Sequence, residues 1–141
     1  MTTTNKKHYA KWLEGMNYNY TATIRSVYPL TQVKLENYSQ VLSNLNPDIQ
    51  NIYSVIEPDT DPYSKDQEHK ESYITSRTST GNHAHLLLKI ARPQKYLNTR
   101  TLNRLSFTVP YYDEIRNLQQ ISGYIVKCQT ENNYNILLRG S

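Results

Sequence analysis

Two histidines at alternate positions are the first candidates for chemistry in this sequence. His83 and His85 begin an apolar stretch that runs to Ile90. Alternate side chains of a β-strand point to the same face, so both imidazoles would lie opposite the apolar positions Ala84, Leu86, Leu88 and Ile90. Two imidazoles on one face can bind one divalent metal ion, or they can simply face solvent, and the strand alone fits both interpretations equally.

A carboxylate near the two histidines would favour the metal site. Glu57 ends the strand predicted before the histidine strand, and the two strands are expected to be antiparallel neighbours. Two imidazoles and one carboxylate suit Mg²⁺ or Mn²⁺ in phosphate chemistry and leave coordination positions for substrate oxygens. Glu57 could also be a solvated strand end, and the polar segment after it holds competing donors, which are Asp59, Asp61, Glu68 and Glu71.

A tyrosine and a lysine three residues apart form the next candidate pair. In a helix, Tyr124 and Lys127 would lie on the same side. A tyrosine hydroxyl can attack a phosphodiester and keep the phosphoryl group as a covalent ester. Its ordinary pKa is about 10, so it needs activation by a metal ion or a nearby cation, and Lys127 could position DNA or stabilise charge. The alternative is an amphipathic helix with a half-buried tyrosine, since the chain contains 13 tyrosines and chance pairs are expected.

Apolar periodicity and turn residues predict the elements that would position these side chains. Residues 1–17 are predicted to form an arm or a short helix, and residues 58–82 a long polar connection. Strands are predicted over residues 18–28, 49–57, 83–90, 105–112 and 134–138, and Pro110 places the fourth strand at a sheet edge. Helices are predicted over residues 30–45, which Thr31 would cap, within residues 94–104, and from Ile115 to Ile125.

This order of elements, β-α-β-β-(α)-β-α-β, predicts the fold class. It is typical of an α+β fold in which a ferredoxin-like antiparallel sheet of about five strands carries helices packed on one face. The other face of the sheet would be left available to a ligand. The predicted organisation is an N-terminal arm over residues 1–17 and one domain over residues 18–141.

Composition and charge limit the possible partners. The 141 residues suffice for one domain, and 16 basic against 12 acidic residues give a net charge of +4, which permits a polyanionic partner or ordinary solubility. The single cysteine, Cys128, excludes an internal disulfide and suggests a reducing compartment. No apolar run approaches the roughly 20 residues of a membrane span, and no apolar segment follows the charged N-terminal residues as in a signal peptide.

Taken together, these motifs resemble the HUH endonucleases, a superfamily named for a histidine-hydrophobe-histidine motif. The resemblance is to the nicking domain of the rolling-circle replication initiators (Rep proteins) of small circular single-stranded DNA viruses, phages and plasmids. It covers residues 18–140, and Tyr124 follows His85 by 39 residues (124 − 85), a spacing typical of such domains. The matching segments are Tyr20-Thr21-Ala22-Thr23-Ile24, His83-Ala84-His85-Leu86-Leu87-Leu88 and Tyr124-Ile125-Val126-Lys127.

The resemblance implies a reaction and a role for each of these residues. Glu57, His83 and His85 would bind Mg²⁺ or Mn²⁺, Tyr124 would be the nucleophile, and Lys127 would assist it. The partner would be single-stranded DNA at a replication origin, which can be presented as a hairpin, in the bacterial cytoplasm or eukaryotic nucleus of a host cell. Cleavage would leave a 5′-phosphotyrosyl DNA and a free 3′-hydroxyl, and the reverse attack would rejoin the ends.

Further candidates are the residues that would contact DNA and the functions other than that of a Rep protein. Candidate DNA contacts are Tyr20, Arg25, Lys89 and Arg92, although a charged side chain taken individually is more often a solvated surface charge. A single-tyrosine HUH transposase would use similar chemistry. A non-enzymatic ferredoxin-like module could instead stack single-stranded DNA or RNA on exposed tyrosines. A viral structural or adaptor protein would cleave no DNA at all.

Overall fold

The computed structural model describes residues 3–59 and 81–139, which form three helices, five strands and one turn of 3-10 helix. The helices are α1 (Thr3–Gly15), α2 (Gln32–Leu45) and α3 (Leu118–Cys128). The strands are β1 (Tyr20–Ser26), β2 (Ile49–Pro58), β3 (Asn82–Ile90), β4 (Phe107–Glu114) and β5 (Tyr134–Leu138). The 3-10 turn, Leu102–Leu105, precedes β4.

The five strands form one antiparallel sheet in the order β4-β1-β3-β2-β5. Strand β3 lies between β1 and β2, which α2 connects, so β1-α2-β2 is a split βαβ unit with β3 inserted. The predicted α+β class and the ferredoxin-like antiparallel sheet of five strands are therefore confirmed. The central position of β3 places its two histidines in the middle of the sheet rather than at an edge.

One face of the sheet packs against α2. The apolar positions of β1 and β3 that share this face are buried, and α2 covers them with side chains at helical spacing. Helix α2 begins where the sequence predicts, because the Thr31 hydroxyl accepts a hydrogen bond from the Lys34 backbone N–H at 3.2 Å. The core on this face includes Ala22, Ile24, Leu35, Tyr38, Leu42, Leu86 and Leu88.

The opposite face has a second core. Leu13 of α1 and Ile125 and Val126 of α3 pack with side chains of β2 and β3, which are Tyr53, Val55 and Leu87. The prediction that all helices pack on one face is thus corrected, since α2 covers one face and α1 with α3 part of the other. The physical reason is that Tyr53, Val55 and Leu87 make this face apolar at one end, and apolar sheet surface needs cover.

The N-terminal segment belongs to this second core. Of the two structures predicted for it, the short helix is confirmed as α1, which packs on α3. The Lys6 ammonium donates to the backbone carbonyl of Lys127 at 3.0 Å, which ties α1 to the last turn of α3. Within residues 3–59 and 81–139, no helix is long and apolar enough to cross a membrane.

Two predicted helices differ from the structure. The helix predicted within residues 94–104 is reduced to the turn Leu102–Leu105, and the backbone adopts positive φ on both sides of it, at Thr101 and Ser106. Such residues interrupt a right-handed helix. Helix α3 begins at Leu118 instead of Ile115, because the Asn117 side chain caps it by accepting from the Gln120 backbone N–H. Pro110 lies in the edge strand β4, as predicted.

Candidate active site

The register of β2 and β3 brings the predicted metal ligands together. Glu57 pairs directly with His83, and Val55 pairs with His85, so both histidines and the carboxylate share one face of the sheet. This is the face of the second core, beyond the end that α1 and α3 cover. The site therefore lies on two inner strands of the sheet.

Glu57 lies between the two histidines. Its Oε2 accepts a hydrogen bond from His83 Nε2 at 3.1 Å, and its Oε1 lies 3.5 Å from His85 Nδ1. Glu57 is 4% exposed, so its carboxylate is surrounded by protein. The structure thus brings Glu57, His83 and His85 together, and their binding of a metal ion stays a prediction.

The other nitrogen of each imidazole also has a partner. His83 Nδ1 donates to Asp59 Oδ1 at 2.8 Å, and His85 Nε2 lies 2.8 Å from the Thr21 hydroxyl oxygen. Asp59 is in turn paired with Arg25, whose NH1 donates to Asp59 Oδ2 at 2.8 Å. Both rings are thus held in one orientation by residues of β1 and by the residue that follows β2.

The Thr21 hydroxyl and Glu57 contact different nitrogens of the His85 ring. The Thr21 hydroxyl donates its single hydrogen to the Leu86 carbonyl at 3.1 Å, so it accepts from His85 Nε2. His85 Nδ1 lies 3.5 Å from Glu57 Oε1, which is buried and has no hydrogen-bond partner among the described residues. A buried carboxylate oxygen without a hydrogen-bond partner is a group that a cation would stabilise.

The charges of the cluster affect its titration. Burial alone would raise the pKa of Glu57, but its contacts with His83 and His85 outweigh burial and lower the pKa to about 2. Burial alone would lower the pKa of His83, yet hydrogen bonds to Glu57 and Asp59 raise it. Asp59 also has a lowered pKa, because its bonds to Arg25 and His83 outweigh its desolvation. The cluster therefore stabilises ionised carboxylates next to a protonated His83.

The residue types and distances fit a divalent metal ion. Two donor atoms that each lie about 2.1 Å from one ion are about 3.0–3.4 Å apart; the Glu57–His83 distance of 3.1 Å lies within this range and the Glu57–His85 distance of 3.5 Å lies just above it. Within residues 3–59 and 81–139, no three His, Cys, Asp or Glu side chains already form a metal-binding cluster. An ion would take the place of the direct contacts that Glu57 makes with the two imidazoles.

Tyr124 and Lys127 lie on α3, on the side that lines a groove of about 830 Å³. Both side chains are exposed, and the groove runs between α3 and the end of β4. Thr21 also lines this groove, and its hydroxyl contacts His85. The groove that holds the candidate nucleophile thus reaches a direct neighbour of the candidate metal site.

The remaining predicted site residues lie in different surroundings. Tyr20 is buried and stacks on Tyr112, and Arg25 is 1% exposed and paired with Asp59, so neither side chain faces solvent. Lys89 is half-buried and Arg92 is exposed. The competing metal donors Asp61, Glu68 and Glu71 lie outside the described residues, whereas Asp59 contacts His83 through Nδ1.

Sequence reasoning missed the supporting roles of Thr21 and Arg25. Strand alternation could have found them, because Thr21 and Arg25 occupy odd positions of β1 and so share a face with His83 and His85 once β1 pairs with β3. The pairing register itself was not readable from the sequence. Comparisons with protein-family models, with characterised proteins and with solved structures find no match to this chain.

Proposed function

We propose that this chain is a metal-dependent endonuclease of the HUH type that nicks and rejoins single-stranded DNA through Tyr124. In this proposal it initiates rolling-circle replication at an origin, as the Rep proteins that it resembles do. The observation that carries the proposal is the position of Glu57, whose two carboxylate oxygens each face one imidazole of the His83–His85 pair. The groove lined by Tyr124 and Lys127 supports it, because Thr21 also lines this groove and contacts His85.

The chain itself supplies the nucleophile. The Tyr124 hydroxyl oxygen would bond to the phosphorus of a phosphodiester while the bond from phosphorus to the 3′-oxygen breaks. The phenolic proton leaves Tyr124, and the departing 3′-oxygen takes up a proton to become a hydroxyl. Because one phosphate ester is exchanged for another, the same 3′-hydroxyl can later attack the phosphotyrosine and rejoin the strand.

The cluster on the sheet would hold the metal ion next to this reaction. Glu57 through its carboxylate, His83 through Nε2 and His85 through Nδ1 are the groups that would bind it, since these atoms face one another. A bound Mg²⁺ or Mn²⁺ would polarise a phosphate oxygen and stabilise the charge that develops there. Residues that orient the two imidazoles keep these donors in place before DNA arrives.

Lys127 and the groove would bind the substrate. Lys127 lies three residues after Tyr124 on the same side of α3, so its ammonium can pair with a phosphate oxygen close to the reacting group. The exposed Tyr111 lines the same groove and offers a ring on which an unpaired base can stack. Arg92 and Lys89 are further candidates for phosphate contacts.

A covalent-adduct assay tests the proposal. The protein is incubated with Mn²⁺ and labelled random-sequence single-stranded oligonucleotides, linear and hairpin, and covalent complexes are detected on a denaturing gel. We expect an adduct with the wild type, and its loss on adding EDTA or on the change Tyr124→Phe, since the phenylalanine ring lacks the attacking oxygen. Tyr28→Phe is the matched control, because Tyr28 is also exposed but lies beside Lys34 of α2.

The outcomes separate the candidate functions. If Tyr124→Phe links to DNA as well as the wild type, the nucleophile is another residue. Retention of the oligonucleotides on a native gel without any covalent adduct would indicate a non-enzymatic binding module. Neither binding nor cleavage would favour a structural or adaptor protein.

A further inference from the structure

We propose that Asp59 and Arg25 form a buried pair that positions His83 for metal binding, an assignment that rests on the metal site of the proposed function. The sequence offers Asp59 as a competing metal ligand and Arg25 as a DNA contact. The geometry assigns both residues a different role, in which Arg25 fixes Asp59 and Asp59 fixes the imidazole of His83.

The two oxygens of Asp59 have separate partners. Oδ1 accepts from His83 Nδ1, and Oδ2 accepts from Arg25 NH1, both at 2.8 Å. The Arg25 and Asp59 side chains are 1% and 3% exposed, so solvent does not compete for either bond. A carboxylate that is bonded at both oxygens inside the protein has one orientation, and it imposes that orientation on the imidazole ring.

The orientation of His83 determines which nitrogen faces Glu57. Because Nδ1 is bonded to Asp59, Nε2 points to Glu57 and lies 3.1 Å from it. His83 is only partly buried, so packing alone would leave its ring freer to turn than the bond to Asp59 does. A bond to a carboxylate also makes an imidazole a stronger metal donor.

Arg25 joins three strands at this point. It comes from β1, Asp59 follows the end of β2, and His83 lies on β3. The backbone N–H of Asp59 also donates to the Gly81 carbonyl at 2.9 Å, which brings the chain after β2 next to the start of β3. Arg25 is therefore placed to neutralise a buried carboxylate, and its burial separates it from any DNA phosphate.

The test compares Mn²⁺ affinity with stability in two single variants and their combination. Mn²⁺ binding is measured by titration calorimetry without DNA, and stability by thermal unfolding in EDTA. We expect Asp59→Asn to weaken Mn²⁺ binding by about 10- to 100-fold and to lower the unfolding temperature, because the buried Arg25 loses its ion pair with the Asp59 carboxylate. Adding Arg25→Met should restore the unfolding temperature but not the Mn²⁺ affinity.

Two further variants complete the comparison. Glu36→Gln removes an exposed carboxylate from α2 on the other face of the sheet and should leave Mn²⁺ affinity unchanged. Glu57→Gln removes a proposed ligand and should weaken binding more than Asp59→Asn does. Arg25→Met alone should weaken Mn²⁺ binding. Added to Asp59→Asn it should weaken Mn²⁺ binding no further, because Arg25 acts through Asp59.

Three results would overturn the assignment. Recovery of Mn²⁺ affinity together with stability in the double variant would show that the pair is only structural. If Asp59→Asn weakens Mn²⁺ binding as much as Glu57→Gln does, Asp59 is a metal ligand rather than a positioning residue. If Asp59→Asn binds Mn²⁺ as tightly as the wild type, Asp59 has no role in metal binding. If the variants change Mn²⁺ affinity as expected but the wild type forms no covalent adduct with DNA, the result contradicts the proposed function and not the role of Asp59 and Arg25.

Discussion

At the scale of single residues, the candidate site depends on one carboxylate held between two imidazoles. The contacts of Glu57 with His83 and His85 lower its pKa to about 2, and hydrogen bonds to Glu57 and Asp59 raise the pKa of His83 above its ordinary value. These shifts have opposite signs because each group stabilises the charged form of the other. They make the stability of the metal-free protein depend on pH in two separate ranges.

The direction in which stability changes with pH follows, for each group, from the difference between its pKa in the folded and in the unfolded protein. The contribution of Glu57 is present above its ordinary pKa of 4.5 and is lost as pH falls towards 2. The contribution of His83 is present below its ordinary pKa of 6.5 and is lost as pH rises through its raised value. We therefore predict that the cluster stabilises the metal-free protein most between about pH 4.5 and 6.5.

Thermal unfolding in EDTA from acid to alkaline pH measures this effect. The comparison is with the double variant Glu57→Gln/His83→Gln, in which these two groups no longer titrate and all other residues are kept. The difference in unfolding free energy between the two proteins should be largest in the predicted range and smaller on both sides. A difference that does not change with pH would contradict the shifts of both groups.

At the scale of elements, strand β3 contributes side chains to both faces of the sheet. Its even positions are buried under α2, and its odd positions include His83, His85 and the buried Leu87. The histidines therefore stand on a strand that is fixed from both sides, which limits their movement relative to Glu57. Helix α3 adds Tyr124 and Lys127 from the side of the second core.

Helix α2 stabilises this arrangement without touching the site. The Thr31 hydroxyl caps its N-terminus. We predict that Thr31→Ala lowers the unfolding free energy by about 1 kcal/mol, because the Lys34 backbone N–H loses its partner. Mn²⁺ affinity should be unchanged, since α2 lies on the opposite face of the sheet.

Chemical denaturation and calorimetry check this prediction on one sample. Thr31→Ser keeps a hydroxyl at the cap and is the matched control, with stability close to the wild type. A fall in Mn²⁺ affinity in Thr31→Ala would indicate coupling between the two faces of the sheet that the contacts do not account for.

At the scale of the whole molecule, two cores share one sheet. The core under α2 and the core under α1 and α3 are separated by the central strands, whose alternate side chains enter one or the other. Loss of either core would weaken the pairing at the centre of the sheet, because β2 and β3 contribute side chains to both cores. Unfolding should therefore be one cooperative transition.

The single tryptophan provides a signal that tests whether unfolding is one cooperative transition. Trp12 lies on α1 beside the second core, whereas Leu42 is fully buried in the first. We predict that Leu42→Ala lowers the unfolding free energy by about 2–5 kcal/mol and shifts the Trp12 fluorescence transition by the same amount as the circular dichroism transition. Separate transitions for the two signals would show that the two cores unfold independently.

The sequence by itself determined the features that depend on near neighbours in the chain. Alternation placed His83 and His85 on one face, the cap at Thr31 and the apolar spacing located α2, and Pro110 indicated an edge strand. These rules act over a few residues, so they can be applied without knowing the fold. The activity inferred from the motifs stays a prediction that the adduct assay tests.

Only the tertiary structure decided how the site is supported. The bonds from Thr21 to His85, from Arg25 to Asp59 and from Asp59 to His83 join residues 64, 34 and 24 positions apart. Such contacts depend on strand order and register, and the cover that α1 and α3 give to the second face depends on burial across the whole sheet. The pair His83–His85 was readable from the sequence because its spacing is local, and its partners were not, because folding brings them together.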